Sequence, residues 1–271
     1  MANGFLTPEE ETLNARFLAN GHLIVPAENP AALGRIRRRV AERAADALGL
    51  AAPDDSDAAR FLEEIGRHVD PDRLNPFRLA VYTGLNANSG FRQDYYALAA
   101  KTLATVVGNE LAMQRRVNLS IQLPGDNSSL LPIHADVWSG DSPYEVVLWL
   151  PLVDCYRTRS MYLVPPAKDA PFQATLARFK DKSAEDLFKA VENDAVFLDV
   201  PYGNLLVFSQ NLMHGNRVNR ETGARWSMNC RFKGLFTPYA DKKLGEFFEP
   251  ITLRAATRLG MNYRLPEGFD D

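Results

Sequence analysis

The chain has 271 residues, with 31 Lys+Arg against 34 Asp+Glu for a formal net charge of −3, and is 46% hydrophobic and 24% charged. That balance fits a globular fold and excludes an intrinsically disordered chain, while the near-neutral charge offers no broad basic field for nucleic acid. Cys155 and Cys230 alone make neither a disulfide framework nor a zinc ribbon, the acidic start is unlike a signal peptide, and no apolar run approaches the roughly 18 residues of a membrane span, so a cytoplasmic protein with no membrane or nucleic-acid partner is expected.

Thr7-Pro8-Glu9-Glu10 reads as a capping box with Pro at the first helical position, opening a helix with Leu13, Phe17 and Leu18 on one face. The run from His22 to Pro26 is a short strand closed by proline. Asn29-Pro30 starts a second helix whose Leu33, Ile36, Val40, Ala44 and Leu48 recur at helical spacing. A loop over 52–57 leads to a third helix that turns Leu62 and Ile65 inward. Asn75-Pro76 opens another helical segment, and 92–107 forms one more, with Tyr95, Leu98, Thr102 and Val106 in phase.

From Arg115 the period falls to two. Asn118, Ser120 and Gln122 share one face of a strand and Val117, Leu119, Ile121 and Leu123 the other. Further strands are predicted at 145–150, 160–164, 195–200, 204–209 and 225–232, with an excursion at 166–194 that holds a helix starting at Ser183. In the last strand Arg225, Ser227, Asn229 and Arg231 oppose Trp226, Met228, Cys230 and Phe232. The fold class is mostly β with α: a jelly roll or β-sandwich with helices packed on one outer face. The single domain 1–271 divides into a helical N-terminal layer (1–114), the core (115–237) and a C-terminal extension (238–271). Asp270-Asp271 reads as a solvated end. If the apolar faces pack on helices, the polar faces point into the sandwich. A polar interior is costly unless it is wet or holds a polar ligand, so an open mouth is expected.

The chain has four histidines: His22, His68, His134 and His214. His134-Ala-Asp136 puts an imidazole and a carboxylate on the same side of a strand, and His214 follows the run Leu205–Phe208. Two His and one Asp are the makings of the facial triad that leaves three positions of an octahedral Fe(II) open. Arg225 lies eleven residues beyond His214 on a polar strand face. His22 and His68 have no such company. The phosphate-cradling, dinucleotide, nucleophile-elbow and zinc-protease motifs are all absent.

The pattern His134-Ala-Asp136, then Trp149 through Asp154, Gly203 through Phe208, and His214 through Asn219 with Arg225, resembles the phytanoyl-CoA dioxygenase-like Fe(II)/2-oxoglutarate oxygenases. The opening from Phe17 to Val25 is similar to that family's helix-to-strand entry. Residues 134–166, especially Trp138 through Glu145 and Arg159 through Tyr162, resemble the branch found in surface-carbohydrate biosynthesis clusters. The resemblance implies a double-stranded β-helix core, iron held by His134, Asp136 and His214, and 2-oxoglutarate and O2 as cosubstrates. It places Arg225 on the distal carboxylate of 2-oxoglutarate, with Trp149, Asn216 and Ser227 on the cosubstrate side. Asn216 stands where relatives usually carry Ser, and Arg159-Ser160 where they carry Asn-Gly.

The chemistry agrees with these roles. Fe(II) with one carboxylate and two neutral imidazoles keeps positive charge for a 2-oxo acid, and a planar guanidinium fits the far carboxylate. An acidic ligand at Asp136 leaves no halide position, which favours hydroxylation over halogenation. The polar faces predict a pocket lined by Asn118, Ser120, Gln122, Asn229 and Arg231, with Trp138 and Tyr144 near its mouth, suited to a small polar substrate such as a sugar or sugar nucleotide. A metal-dependent isomerase or hydrolase and a non-catalytic sugar-binding module on the same fold are the alternatives.

Overall fold

The computed structural model describes residues 4–268, so Asp270 and Asp271 lie outside the described residues. Helix α1 (Pro8–Asn20) starts on the Thr7 capping box, in which the Glu10 amide donates to Thr7 Oγ1 and the Thr7 amide to Glu10 Oε2. Phe17 packs on the core, but Leu18 is 78% exposed. Consecutive residues on a helix do not share a face. Strand β1 (His22–Pro26) leads to α2 (Pro30–Leu48), capped by Asn29 Oδ1 on the Ala32 amide at 3.0 Å and burying Leu33, Ile36, Val40 and Ala44.

The next helices correct two sequence boundaries. After the short α3 (Ala58–Glu63), α4 (Pro71–Asn86) begins five residues ahead of Pro76, which rides inside it. Pro71 takes the first-turn position that suits proline, and Pro76 forgoes one ladder bond. The predicted 92–107 helix is two, α5 (Phe91–Ala97) and α6 (Ala100–Val106). Glu28, far back in the chain, caps the second by accepting from the Lys101 and Thr102 amides at 2.8 and 2.9 Å.

The remaining elements are β2 (Leu111–Gln114), β3 (Asn118–Gln122), β4 (Glu145–Pro151), β5 (Met161–Leu163), α7 (Pro166–Gln173), α8 (Ala184–Val191), β6 (Val196–Phe197), β7 (Asn204–Ser209), β8 (His214–Asn216), β9 (Arg225–Gly234), β10 (Phe248–Pro250) and α9 (Ala255–Asn262). They form two antiparallel sheets, a larger one ordered β1-β7-β4-β9-β2-β10 and a smaller one ordered β6-β5-β8. β9 is the axis of the larger sheet. Its first half pairs with β3, its second half with β2, and its other edge with β4. This is a jelly roll in which the N-terminal helices cover the larger sheet, while α7 and α8 pack against the smaller one, contrary to the expectation of helices on one outer face only. β2, β8 and β10, three or four residues each, were not predicted from the sequence.

The two faces of β3 and β9 divide as the alternation predicts. Leu119, Ile121, Trp226, Met228, Cys230 and Phe232 are buried toward the helices. The Trp226 ring meets Phe77 of α4 edge-on, and its Nε1–H donates to the Leu62 carbonyl at 2.7 Å. A buried tryptophan of this kind contributes roughly 4–6 kcal/mol of apolar burial. The opposite, polar face looks toward the smaller sheet. Burial pushes both free thiols, Cys155 and Cys230, up to about 12. No helix among the described residues is long and apolar enough to cross a membrane.

Candidate metal centre

His134 and His214 face each other across a two-bond bridge, the His134 amide donating to the His214 carbonyl at 3.0 Å and the reverse at 2.8 Å. Directly opposed residues of an antiparallel pair project to the same side, and here the ring centroids are 4.3 Å apart. Asp136, two residues on, brings its carboxylate to that side. Its Oδ1 is 3.3 Å from His134 Nε2 and 3.9 Å from His214 Nε2. The three donor atoms lie within 4.8 Å of one another.

Hydrogen bonds behind the cluster prepare each donor. His134 Nδ1 donates to the Pro132 carbonyl at 2.8 Å and His214 Nδ1 to the Leu212 carbonyl at 2.9 Å. A carbonyl only accepts, so each Nδ1 carries the proton and each Nε2 lone pair is left for an ion. Burial, with the adjacent His134 ring acting in the same direction, lowers the His214 pKa to about 4, which keeps it neutral. Burial works against the Asp136 charge, but the His134 contact, Arg231 and the second histidine prevail and hold its pKa well below the usual carboxylate range.

Arg231 was expected on the substrate side. It borders the cavity, but its Nη2 donates to Asp136 Oδ2 at 2.7 Å, so it orients the carboxylate. Gln210 Oε1 accepts from its Nε at 3.1 Å, and Asp141, also 3.1 Å from that nitrogen, is its second charge partner and pairs with Lys242. A second support joins the two ligand-bearing loops. Buried Asp169 of α7 accepts from the Met213 amide at 2.7 Å and from Gln173 Nε2 at 2.6 Å. Gln173 also donates to the Asn211 carbonyl at 2.7 Å and accepts from Trp138 Nε1 at 3.1 Å.

A cavity of about 710 Å³ opens beside the cluster, a volume typical of small-molecule sites. Among the predicted residues, Asn118, Ser120, Trp149, Asn216, Arg225, Ser227 and Asn229 line it. Gln122, Trp138 and Tyr144 do not. Gln122 keeps the polar face but sits at the end of β3, where its Nε2 donates to the Arg217 carbonyl at 2.7 Å. Trp138 follows Asp136 in a 3₁₀ turn, and at about 120° per residue two steps carry it away from the ligand's direction, toward α7. Tyr144 is exposed. Arg159 lies outside as well, paired with Glu63 at 2.8 Å and donating to the Ala224 carbonyl.

Arg225 is the unusual residue of the cavity. It is 3% exposed, its Nη2 donates to Ser120 Oγ at 2.9 Å, and its Nε has no partner. Ser227 Oγ beside it is likewise buried and unpartnered. No carboxylate among the described residues pairs with Arg225, and burial lowers its pKa. Asn216 spends both polar atoms on the neighbouring loop, accepting from the Leu131 amide at 2.6 Å and donating to the Ser129 carbonyl at 3.3 Å.

Several cavity residues went unnoticed in the sequence. Asn75 and Arg78 enter from α4, Ser128–Leu131 from the loop after β3, and the Phe208 ring meets His214 at 5.0 Å. Gly215 is required by close approach, since a Cβ there would lie 2.7 Å from Tyr162 Oη and 2.8 Å from the Leu131 carbonyl oxygen. Periodicity marks which face of a helix is apolar, and has no signal for a polar residue that happens to border a cavity.

No protein-family model matches the chain, and no curated protein matches it in sequence. Solved structures do match it in fold. A nickel complex of the non-heme monooxygenase ThoJ superposes with a TM-score of 0.54 at 16% identity, covering 87% of this chain and 82% of that one. AviO1 from Streptomyces viridochromogenes Tue57 gives 0.53 at 17% identity, covering 87% and 99%. HygX from Streptomyces hygroscopicus, with nickel and 2-oxoglutarate bound, gives 0.52 at 15% identity, covering 88% and 90%. At these identities the likeness is one of fold.

Proposed function

We propose that the chain is a non-haem Fe(II)/2-oxoglutarate-dependent dioxygenase that hydroxylates a small polar metabolite, a sugar or sugar nucleotide of the kind handled in surface-carbohydrate biosynthesis. The observation that carries the reading is Arg225, a buried guanidinium without an acidic partner in the cavity that holds the two-histidine, one-carboxylate cluster. A buried cation is costly without a counter-charge. A dicarboxylate that reaches from the metal to Arg225 supplies it.

The donor set fits Fe(II), which takes imidazole and carboxylate and leaves positions open for a chelating cosubstrate. HygX, of the same fold, is described with nickel and 2-oxoglutarate bound, which supports the assignment. When bound, iron and 2-oxoglutarate supply the oxidation, coupling O2 reduction and decarboxylation to succinate and CO2 with insertion of one oxygen atom into a substrate C–H bond. The chain's own residues do the positioning. His134, Asp136 and His214 hold the metal, and Arg231 fixes the Asp136 carboxylate. Arg225 Nε and Ser227 Oγ, both without partners, receive the distal carboxylate beside Trp149. Asn216 sets the loop that closes one side. Asn118 and Asn229, joined by a 2.9 Å bond, offer their remaining donors and acceptors to hydroxyl groups.

Succinate release assayed over a panel of sugars, sugar nucleotides and other small polar metabolites tests the reading. Stimulated release that His214→Ala abolishes is expected. Release that survives in metal-free His214→Ala, or a steroid or acyl chain as the preferred substrate, contradicts it.

A further inference from the structure

We infer that Arg78 of α4 anchors an anionic group of the substrate, a phosphate or a carboxylate. The inference rests on the reading above and names the substrate's charge. Arg78 lines the cavity and is half-buried, and its guanidinium is already aimed: Nη2 donates to Asn75 Oδ1 at 2.7 Å and Nη1 to the Leu119 carbonyl at 3.3 Å. Both acceptors are neutral, and no carboxylate among the described residues pairs with Arg78.

The charges around the cavity show what is left over. Asp136 is the only lining carboxylate among the described residues. The two charges of iron and the one of Arg225 are balanced by Asp136 and the two carboxylates of 2-oxoglutarate. Arg231 pairs with both Asp136 and Asp141. Of the three arginines that line the cavity, Arg78 alone has neither an acidic partner among the described residues nor a cosubstrate carboxylate assigned to it. A neutral sugar would leave it so, whereas a phosphorylated sugar or a sugar acid would match it. The planar fork suits either anion, since each presents two oxygens at the right spacing.

Arg78 is separate from the cosubstrate residue although the two are neighbours. Arg225 reaches β3 through the Ser120 side chain and Arg78 through the Leu119 carbonyl. Arg225 is 3% exposed and serves the depth of the cavity, while Arg78, on the helix, serves a group that arrives later and extends farther out.

The test uses full-length protein loaded with redox-silent nickel. Calorimetric titration with 2-oxoglutarate comes first, and its failure to bind the parent overturns the cosubstrate reading. Glucose, glucose 1-phosphate and glucuronate are then titrated, with and without 2-oxoglutarate, so the arms on Arg78 stand independently. The parent is expected to bind one of the two anions at least about tenfold more tightly than glucose. Arg78→Met should lose about tenfold or more of that affinity, and Arg78→Lys less, with glucose and 2-oxoglutarate unaffected. A preference for phosphate or for carboxylate identifies the group. The inference is overturned if neither anion binds, if glucose binds as tightly as both, or if Arg78→Met binds the anion like the parent. It is also overturned if Arg78→Met weakens 2-oxoglutarate instead.

Discussion

Replacing Arg225 with leucine should move stability in opposite directions with and without 2-oxoglutarate. In the ligand-free protein the guanidinium is buried, has one neutral partner in Ser120 and an unpartnered Nε, so it is a cost to the fold. Leucine removes that cost, and the metal-loaded, ligand-free variant should melt no lower than the parent. With ligand the sign reverses. A ligand at 100 times its Kd stabilises by about 2.7 kcal/mol, which for a chain of this size raises Tm by roughly 5–10 °C. Removing one partner of a buried, hydrogen-bonded charge pair costs about 2–5 kcal/mol, or at least about 30-fold in affinity. At the same concentration the stabilisation then falls to about 0.9 kcal/mol or less, a shift of roughly 2–3 °C at most. Thermal melts of nickel-loaded parent and variant, with and without 2-oxoglutarate, read both effects. An Arg225→Leu protein that is destabilised without ligand yet shifts as far as the parent with it would show a structural role and refute the reasoning.

Gly215→Ala should cost about 1–3 kcal/mol and weaken nickel binding, because its Cβ meets the Leu131 carbonyl next to His214; an unchanged Tm and nickel isotherm would contradict this. Asp169→Asn should cost about 1–3 kcal/mol, since its new amide meets Gln173 Nε2, and Gln173 cannot flip without losing its bonds to Trp138 and Asn211; a melt equal to the parent's would count against the support assigned to α7. Burial raises the Glu145 carboxyl to about 7, against bonds from the Ser142 amide and Gln210 that work the other way, from an ordinary value of 4.5. The folded protein therefore holds the extra proton, and this contribution is complete below about pH 4.5 and lost as pH rises through about 7, at up to about 1.4 kcal/mol per pH unit. Denaturant titrations between pH 5 and 8 should show that slope flattened in Glu145→Gln, and identical slopes would rule the assignment out.

The strictly alternating strands carried the most information. The 118–122 and 225–232 segments revealed both their pairing faces and the polar interior, because a period of two has one meaning when one side is buried. His134, Asp136 and His214 could be grouped because two of them share a strand side and histidines are few. What escaped notice depends on contacts made across the fold. The Glu28 cap that splits the 92–107 helix comes from a distant segment, and the turn that sends Trp138 toward Gln173 follows the ligand it was expected to accompany. Arg231 and Arg225 are equivalent by alternation. The fold separates them by placing Asp136 and Asp141 beside one and no acid beside the other.

The central claim, that this cavity holds Fe(II) and 2-oxoglutarate together, is tested most directly by anaerobic titration of 2-oxoglutarate into the Fe(II)-loaded protein, followed by visible absorption. A 2-oxo acid chelated through its keto and carboxylate oxygens gives a metal-to-ligand charge-transfer colour that either component alone lacks. The account predicts a band that saturates at one 2-oxoglutarate per chain, is absent in His214→Ala, and needs at least about 30-fold more 2-oxoglutarate in Arg225→Leu. A colourless titration of the parent, or a band indifferent to His214→Ala, would contradict it.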